Sequence, residues 1–168
     1  WHRGIHLAFV LGLIFLVFSA GKTRSSAARP HSLLAPFGIG LVDWALATAA
    51  VAGALYYPWV FHDLQFRVGN PDLTDWVMGT LMIVVVLEAT RRSVGPALPI
   101  ISIVLMIYAM LGPSLPWILA HPGNTWKSVV NHQYLTSNGI FGVALGVVAT
   151  YVFHYVLFGV LATRIGLG

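Results

Sequence analysis

Cysteine is absent from the chain, acidic residues number five in 168, and charged side chains of both signs together make up only 8%. The missing thiols exclude disulfide frameworks, thiolate metal sites and iron–sulfur clusters. The scarcity of charge excludes a water-soluble surface of ordinary size, since soluble domains carry roughly a quarter charged residues. Catalytic constellations are missing as well. There is no Gly/Lys phosphate loop, no nucleophile beside a base, and no pair of acids placed together within a span. The formal charge of +4 and the pI of about 9.8 are spread over short loops instead of one basic face, so no nucleic-acid partner and no cofactor is expected.

What remains is apolar. Hydrophobic residues reach 58%, and they fall in runs of about 15 to 25 residues, the length that spans a hydrocarbon layer roughly 30 Å thick at 1.5 Å per residue. The predicted architecture is all-α and polytopic, with about five transmembrane helices and one short interfacial amphipathic helix. The first span runs from Ile5 to Ala20, with small residues Gly4, Ala8 and Gly12 at four-residue spacing. A short basic start and small residues at its end also fit a signal peptide, but the denser positive charge follows the run, which favours a membrane helix. The second span covers Phe37 to Phe61, with Pro36 before it, a small-residue stripe at Ala45, Ala49 and Gly53, and an aromatic belt at Tyr56, Tyr57 and Trp59. A polar segment from His62 to Thr74 follows, with Asp63 and Arg67 four apart. Asp72 then reads as the N-cap of a third span, Leu73–Arg92, with Asp75 in its first turn. The fourth span, Pro96 to Leu111, is short, and Gly112-Pro113 ends it. In the irregular stretch to Gly139, Trp126, Val129, Val130 and Tyr134 share one helical face, and Lys127, Ser128, Asn131 and His132 share the other. The last span is Ile140 to Arg164.

Charge orients these spans. The loops at 21–36 and 91–96 carry Lys22, Arg24, Arg29, Arg91 and Arg92, whereas those at 62–74 and 112–139 carry only Arg67 and Lys127. The positive-inside bias therefore places the first pair in the cytoplasm, with Trp1 outside and Arg164 inside. Because the chain opens on Trp1 and closes on Gly168 just after an apolar run, it is expected to be a piece of a longer protein.

Few residues stand out as chemistry. Glu88 and Arg92 lie at i, i+4 in the favourable order, and with Arg91 they are expected to form a structural anchor at the cytoplasmic surface, in preference to a transport site. Asp43, beside Trp44, reads as an interfacial acid ahead of a proton or ion site. His154 sits mid-run but has no second histidine at similar depth, which speaks against haem or metal. Gly142 and Gly146 form a G-x-x-x-G pair suited to close helix packing.

The run Glu88-Ala-Thr-Arg-Arg-Ser-Val-Gly-Pro-Ala-Leu-Pro-Ile100, the stretch Tyr108 to Pro116, and Gly139-Ile-Phe-Gly-Val-Ala-Leu-Gly-Val-Val-Ala-Thr-Tyr-Val-Phe-His-Tyr-Val-Leu-Phe-Gly159 together resemble the fused membrane permease of tripartite ATP-independent periplasmic (TRAP) transporters, and most of all its TAXI-type branch. His6-Leu7, His121 and Asn131-His-Gln-Tyr-Leu135 extend the resemblance over nearly the whole chain. Two positions depart from it: His154 stands where an apolar residue is expected, and Ala144 where proline is expected. The resemblance implies a secondary transporter of a bacterial or archaeal inner membrane that imports a solute delivered by an extracytoplasmic binding protein, driven by an ion gradient, usually sodium. It implies that residues 1–92 are the last three helices of a small-subunit-like domain, 93–139 a joining helix and external loop, and 140–168 the start of the large transport domain. The implied partners are the binding protein, the remaining helices of the same permease and the lipid bilayer. The family's ion and substrate sites lie in segments beyond this chain, so no residue here inherits a binding role. The competing reading, a non-transporting membrane anchor or assembly subunit, shares the same helices and lacks the downstream transport hairpins.

Overall fold

A computed structural model describes residues 1–18, 40–114 and 116–166, with positions 64, 65, 67 and 117 described by backbone alone. Among the described residues every regular element is helical. Helix α1 spans His2–Val17, α2 Leu41–Trp59, α3 Phe61–Arg67, α4 Leu73–Ser93 and α5 Ala97–Met110. After two short 3-10 turns comes α6, Trp126–Val130, which continues through a π turn to Leu135. The last helix is built from α7, Val143–Val147, a π turn at Val148–Val152, and α8, Phe153–Arg164. Among the described residues two helices are long and apolar enough to cross a membrane, Leu73–Ser93 and the continuous Val143–Arg164, and α1 and α5 are shorter apolar helices. The loop residues Lys22, Arg24, Arg29 and Pro36, and the predicted start of the second span, lie outside the described residues.

The boundaries follow local chemistry. Helix α4 begins at a reciprocal capping box: the Asp72 side chain accepts from the backbone of Asp75, and the Asp75 carboxylate accepts from the Asp72 N–H at 3.2 Å. It ends before Gly95, whose φ of 113° is a left-handed conformation that favours glycine. Pro96 caps α5 and is not its first helical residue. Part of the segment expected to be only a polar loop folds as α3. The last helix begins three residues later than predicted, because Ile140 donates to the Gln133 carbonyl at 2.7 Å and Gly142 to that of Gly139 at 2.9 Å. Those bonds close a turn that seats the fully buried Phe141 ring.

Helices α1, α2 and α4 alternate in direction and enclose one core, with Leu11, Phe15, Ala50, Ala54, Met82 and Val85 at its centre. Close approach depends on glycine at two crossings. A Cβ on Gly4 would lie 2.9 Å from the Ala54 carbonyl oxygen, and one on Gly53 would lie 2.6 Å from the Met82 sulfur. The α2 contact face agrees with the predicted stripe in part: Gly53 is buried and Ala49 packs against the core, but Ala45 is exposed, and Ala47, Ala50 and Ala54 are buried as well. A strict four-residue repeat drifts about 40° per step around a helix, whereas alternating steps of four and three stay on one side. Asp43, Ala47, Ala50, Ala54 and Tyr57 follow that alternation and are all buried.

The amphipathic helix α6 is present, and its apolar face meets protein. Val130, Tyr134 and Leu135 are buried. Gly79 of α4 leaves room for them, since a Cβ there would lie 2.5 Å from Val130 Cγ1 and 3.1 Å from Tyr134 Cβ. The Trp126 indole N–H donates to Thr80 Oγ1 at 3.1 Å, which ties the same helix to α4. By contrast, only Pro99 of α5 is buried, and no residue of α8 is.

Candidate functional site

Among the described residues the densest charge lies where the C-terminal end of α4 meets the start of α2 and the end of α1. Helical spacing places Arg91 and Arg92 three and four residues beyond Glu88. Both reach it: Arg91 donates through Nε and Nη2 to the two carboxylate oxygens at 2.7 and 2.8 Å, and Arg92 donates through Nε to Oε1 at 2.7 Å. Arg92 then leaves the α4 surface. Its Nη1 donates to Asp43 Oδ1 at 2.6 Å and to the Phe18 carbonyl at 3.2 Å. Its guanidinium carbon stands 5.0 Å from the centre of the Phe15 ring. One arginine therefore touches three helices.

Burial separates the members of this cluster. The side chains of Arg92 and Asp43 are 5% and 2% exposed, whereas Glu88 is 25% and Arg91 52% exposed. The outer pair is a surface ion pair of small energetic weight. The inner pair is different in kind, because a charge removed from water is tolerated only beside a well-placed opposite charge with its remaining donors satisfied. Two carboxylates and two guanidiniums also make the cluster neutral as a whole, which suits the edge of a low-dielectric layer. Chemically it can clamp helices together. Asp43 was expected to be an acid near water, and its engagement with Arg92, 49 residues away, was missed. One signal could have found it: the positive-inside topology puts the start of the second span and the end of the third at the same surface.

At the opposite end of the bundle a second polar group ties the helices. Tyr56 donates to Asp75 Oδ1 at 2.7 Å, and Tyr134 donates to the Gly53 carbonyl at 2.6 Å. Burial pushes the Tyr134 hydroxyl well above the usual tyrosine range, with smaller contributions from the surrounding Tyr56, Asp75 and Tyr57. It is therefore a neutral donor at physiological pH. Tyr57 stacks on Phe141 with centroids 4.0 Å apart.

The two glycines singled out in the last run occupy tight positions. Gly142 caps α7, and a Cβ there would lie 2.7 Å from the Gly139 carbonyl oxygen. Gly146 lies beneath the guanidinium of Arg3, whose Nε and Nη2 would each be 3.0 Å from an added Cβ. Arg3 Nη1 also donates to the Phe141 carbonyl at 2.9 Å, and the His2 ring lies 3.3 Å from the Ala149 carbonyl. The first turn of α1 is thus seated on the start of the last helix. His154 is exposed on α8, edge-on to Phe153 at 5.8 Å.

No curated protein matches the chain, and no solved structure does. A family model does match, over residues 81–168, from the middle of α4 through the last helix: the DctM component of the tripartite ATP-independent periplasmic transporter. That family is an integral membrane permease component of a transporter and not an enzyme, and α4 and Val143–Arg164 are long and apolar enough to cross a membrane. The chain belongs to the DctM family, the membrane permease component of tripartite ATP-independent periplasmic transporters.

Proposed function

We propose that this chain forms part of an ion-gradient-driven importer of the TAXI-type branch, coupled to sodium, that takes its solute from an extracytoplasmic binding protein. The observation that supports the importer reading is the family match over residues 81–168, and the TAXI branch and sodium rest on the sequence resemblance. The match runs without interruption through the Glu88 to Ile100 turn and the Gly139 to Gly159 run on which that resemblance rests. Residues 1–92 would be the closing helices of a small-subunit-like domain, 93–139 the join with its external loop, and 140–168 the opening of the transport domain. The core of α1, α2 and α4 also takes in Tyr134, Leu135 and Phe141, so the three parts pack together, and α5 and α8 lie largely outside that core. Helices α1, α2, α4, α5 and the continuous Val143–Arg164 would each cross a bacterial or archaeal inner membrane. Glu88, Arg91 and Arg92 would anchor the cytoplasmic end, and Gly142 and Gly146 would serve close packing at the other.

The test is solute uptake by the complete permease in proteoliposomes, with its binding protein loaded on the outside. Uptake is expected under an inward sodium gradient without ATP, and to vanish when potassium replaces sodium or when the binding protein is omitted. Uptake that needs ATP, or that proceeds equally without any ion gradient, would overturn the proposal.

A further inference from the structure

A cleft of about 520 Å³ opens between α4, α5 and the exposed side of α6, well within the range of small-molecule sites. Its walls change character from one end to the other. Leu87 and Leu105 line it in apolar surface interrupted by Ser102, whereas Asn124, Ser128 and His132 line its other end. These three polar residues recur every fourth position, and the Ser128 hydroxyl donates to Asn124 Oδ1 at 3.3 Å. Their level is set by the backbone: Asn124 N–H donates to the carbonyl of Ala109, in the last turn of α5, at 2.9 Å. Leu87 lies two turns beyond Thr80, the α4 residue to which α6 is tied, and towards the Val94–Pro96 turn. The gradient from polar to apolar therefore runs along the helix axes, which in a membrane permease is the direction from headgroups to acyl chains.

Charge sharpens the identity of the occupant. From Ala97 to Gly168 the sequence holds no aspartate or glutamate, and Lys127 is adjacent to Ser128. Of the acids along α4, Asp72 and Asp75 are engaged in the capping box and with Tyr56, and Glu88, next to Leu87 at the apolar end, is held by Arg91 and Arg92. The polar end thus offers the Asn124 amide and the His132 ring as hydrogen-bond donors, with no carboxylate among the lining residues to repel an anion. Its apolar remainder has no use for a free anion in water.

We propose that the α4–α5 cleft holds a membrane phospholipid, its phosphate headgroup at Asn124, Ser128 and His132 and an acyl chain along Leu87 and Leu105. The lipid would act as a fitted wedge between the two helices on either side of the Val94–Pro96 turn. The experiment is native mass spectrometry of the complete permease, purified in mild detergent from membranes of phosphatidylethanolamine and phosphatidylglycerol, and then re-titrated with phosphatidylglycerol after delipidation. Wild type is expected to retain phospholipid. Leu105→Trp, which fills the cleft, is expected to lose retention by about tenfold or more, the effect of roughly 1.4 kcal/mol. Val104→Trp, an exposed position on the same helix that does not line the cleft, serves as the folding control and is expected to retain lipid normally. His132→Leu keeps the cleft open and is expected to weaken retention of phosphatidylglycerol more than that of a neutral glycolipid. Equal retention by wild type and Leu105→Trp would overturn the proposal. So would a cleft that responds to inorganic phosphate and not to phospholipid, or one occupied by a further helix of the same permease.

Discussion

Arg92 satisfies two acids and one helix-end carbonyl, and its side chain is only 5% exposed. Breaking a buried ion pair by removing one partner costs about 3–5 kcal/mol, mostly because the other charge is left without compensation. Asp43→Asn and Arg92→Ala are therefore each expected to lower the thermal midpoint of the complete permease markedly in detergent, and the pair removed together is expected to cost less than the sum. Arg91→Ala, which removes a half-exposed partner of Glu88, is expected to change the midpoint by little. Equal effects from Arg91 and Arg92 would contradict the separation of the cluster into an inner clamp and an outer surface pair. The Glu88 contacts at i+3 and i+4 were legible in the sequence because helical geometry alone determines them. The Asp43 contact was not, since it depends on which helices become neighbours.

At the scale of the element, the outcome depends on whether a feature is set by neighbours in sequence or in space. The start of α4 follows from Asp72 and Asp75 three residues apart, and its end from Gly95, so this helix lies within a residue of the boundaries its sequence implies. The last helix begins late because its first predicted turn is drawn into bonds with the end of the preceding π turn, through Gln133 and Ile140. Helix α6 illustrates the same limit. Its apolar face was visible as a pattern, but a pattern reports only that the neighbour is apolar, and the neighbour is Gly79 of α4 together with the core. Gly79→Ala would drive a methyl group against Val130 and the Cβ of Tyr134, both held in the core. Overpacking of this kind costs about 1–3 kcal/mol, and loss of thermal stability accompanied by weaker protection of the α6 amides from exchange is expected. An alanine accepted with no change in either measurement would contradict the close seat of α6 on α4.

At the scale of the whole molecule, the contacts arrange the helix ends into two groups. Phe18, Asp43 and Arg92 meet at one end, and Arg3, Tyr56, Asp75 and Phe141 take part in contacts at the other. The direction of the bundle across the membrane is a separate matter, and the positive-inside count proposes that the Arg92 end is cytoplasmic. These 168 residues hold no cysteine, so single cysteines placed here, with any cysteine elsewhere in the permease replaced, report the topology directly. Ser93 and Thr74 are both exposed near opposite ends of α4. In the intact cell, Thr74→Cys in the full permease is expected to react with a membrane-impermeant thiol reagent, and Ser93→Cys to be protected until the membrane is opened. The reverse labelling pattern would invert the proposed topology.

The sequence by itself determined the membrane class, the helical content, the approximate spans and the family resemblance, all of which arise from hydropathy, local spacing and residues close together along the chain. Only the tertiary structure decided that Asp43 belongs to Arg92, that Tyr134 closes the core on the Gly53 carbonyl, and that Arg3 lies over Gly146. These pairs are separated by 49 to 143 positions. Apolar periodicity identifies a face that avoids water, but every apolar face in the molecule meets that description equally well. The choice among partners is made by shape, where a missing side chain at Gly4, Gly53 or Gly79 admits one neighbour, and by the cost of leaving a buried charge or carbonyl without a partner.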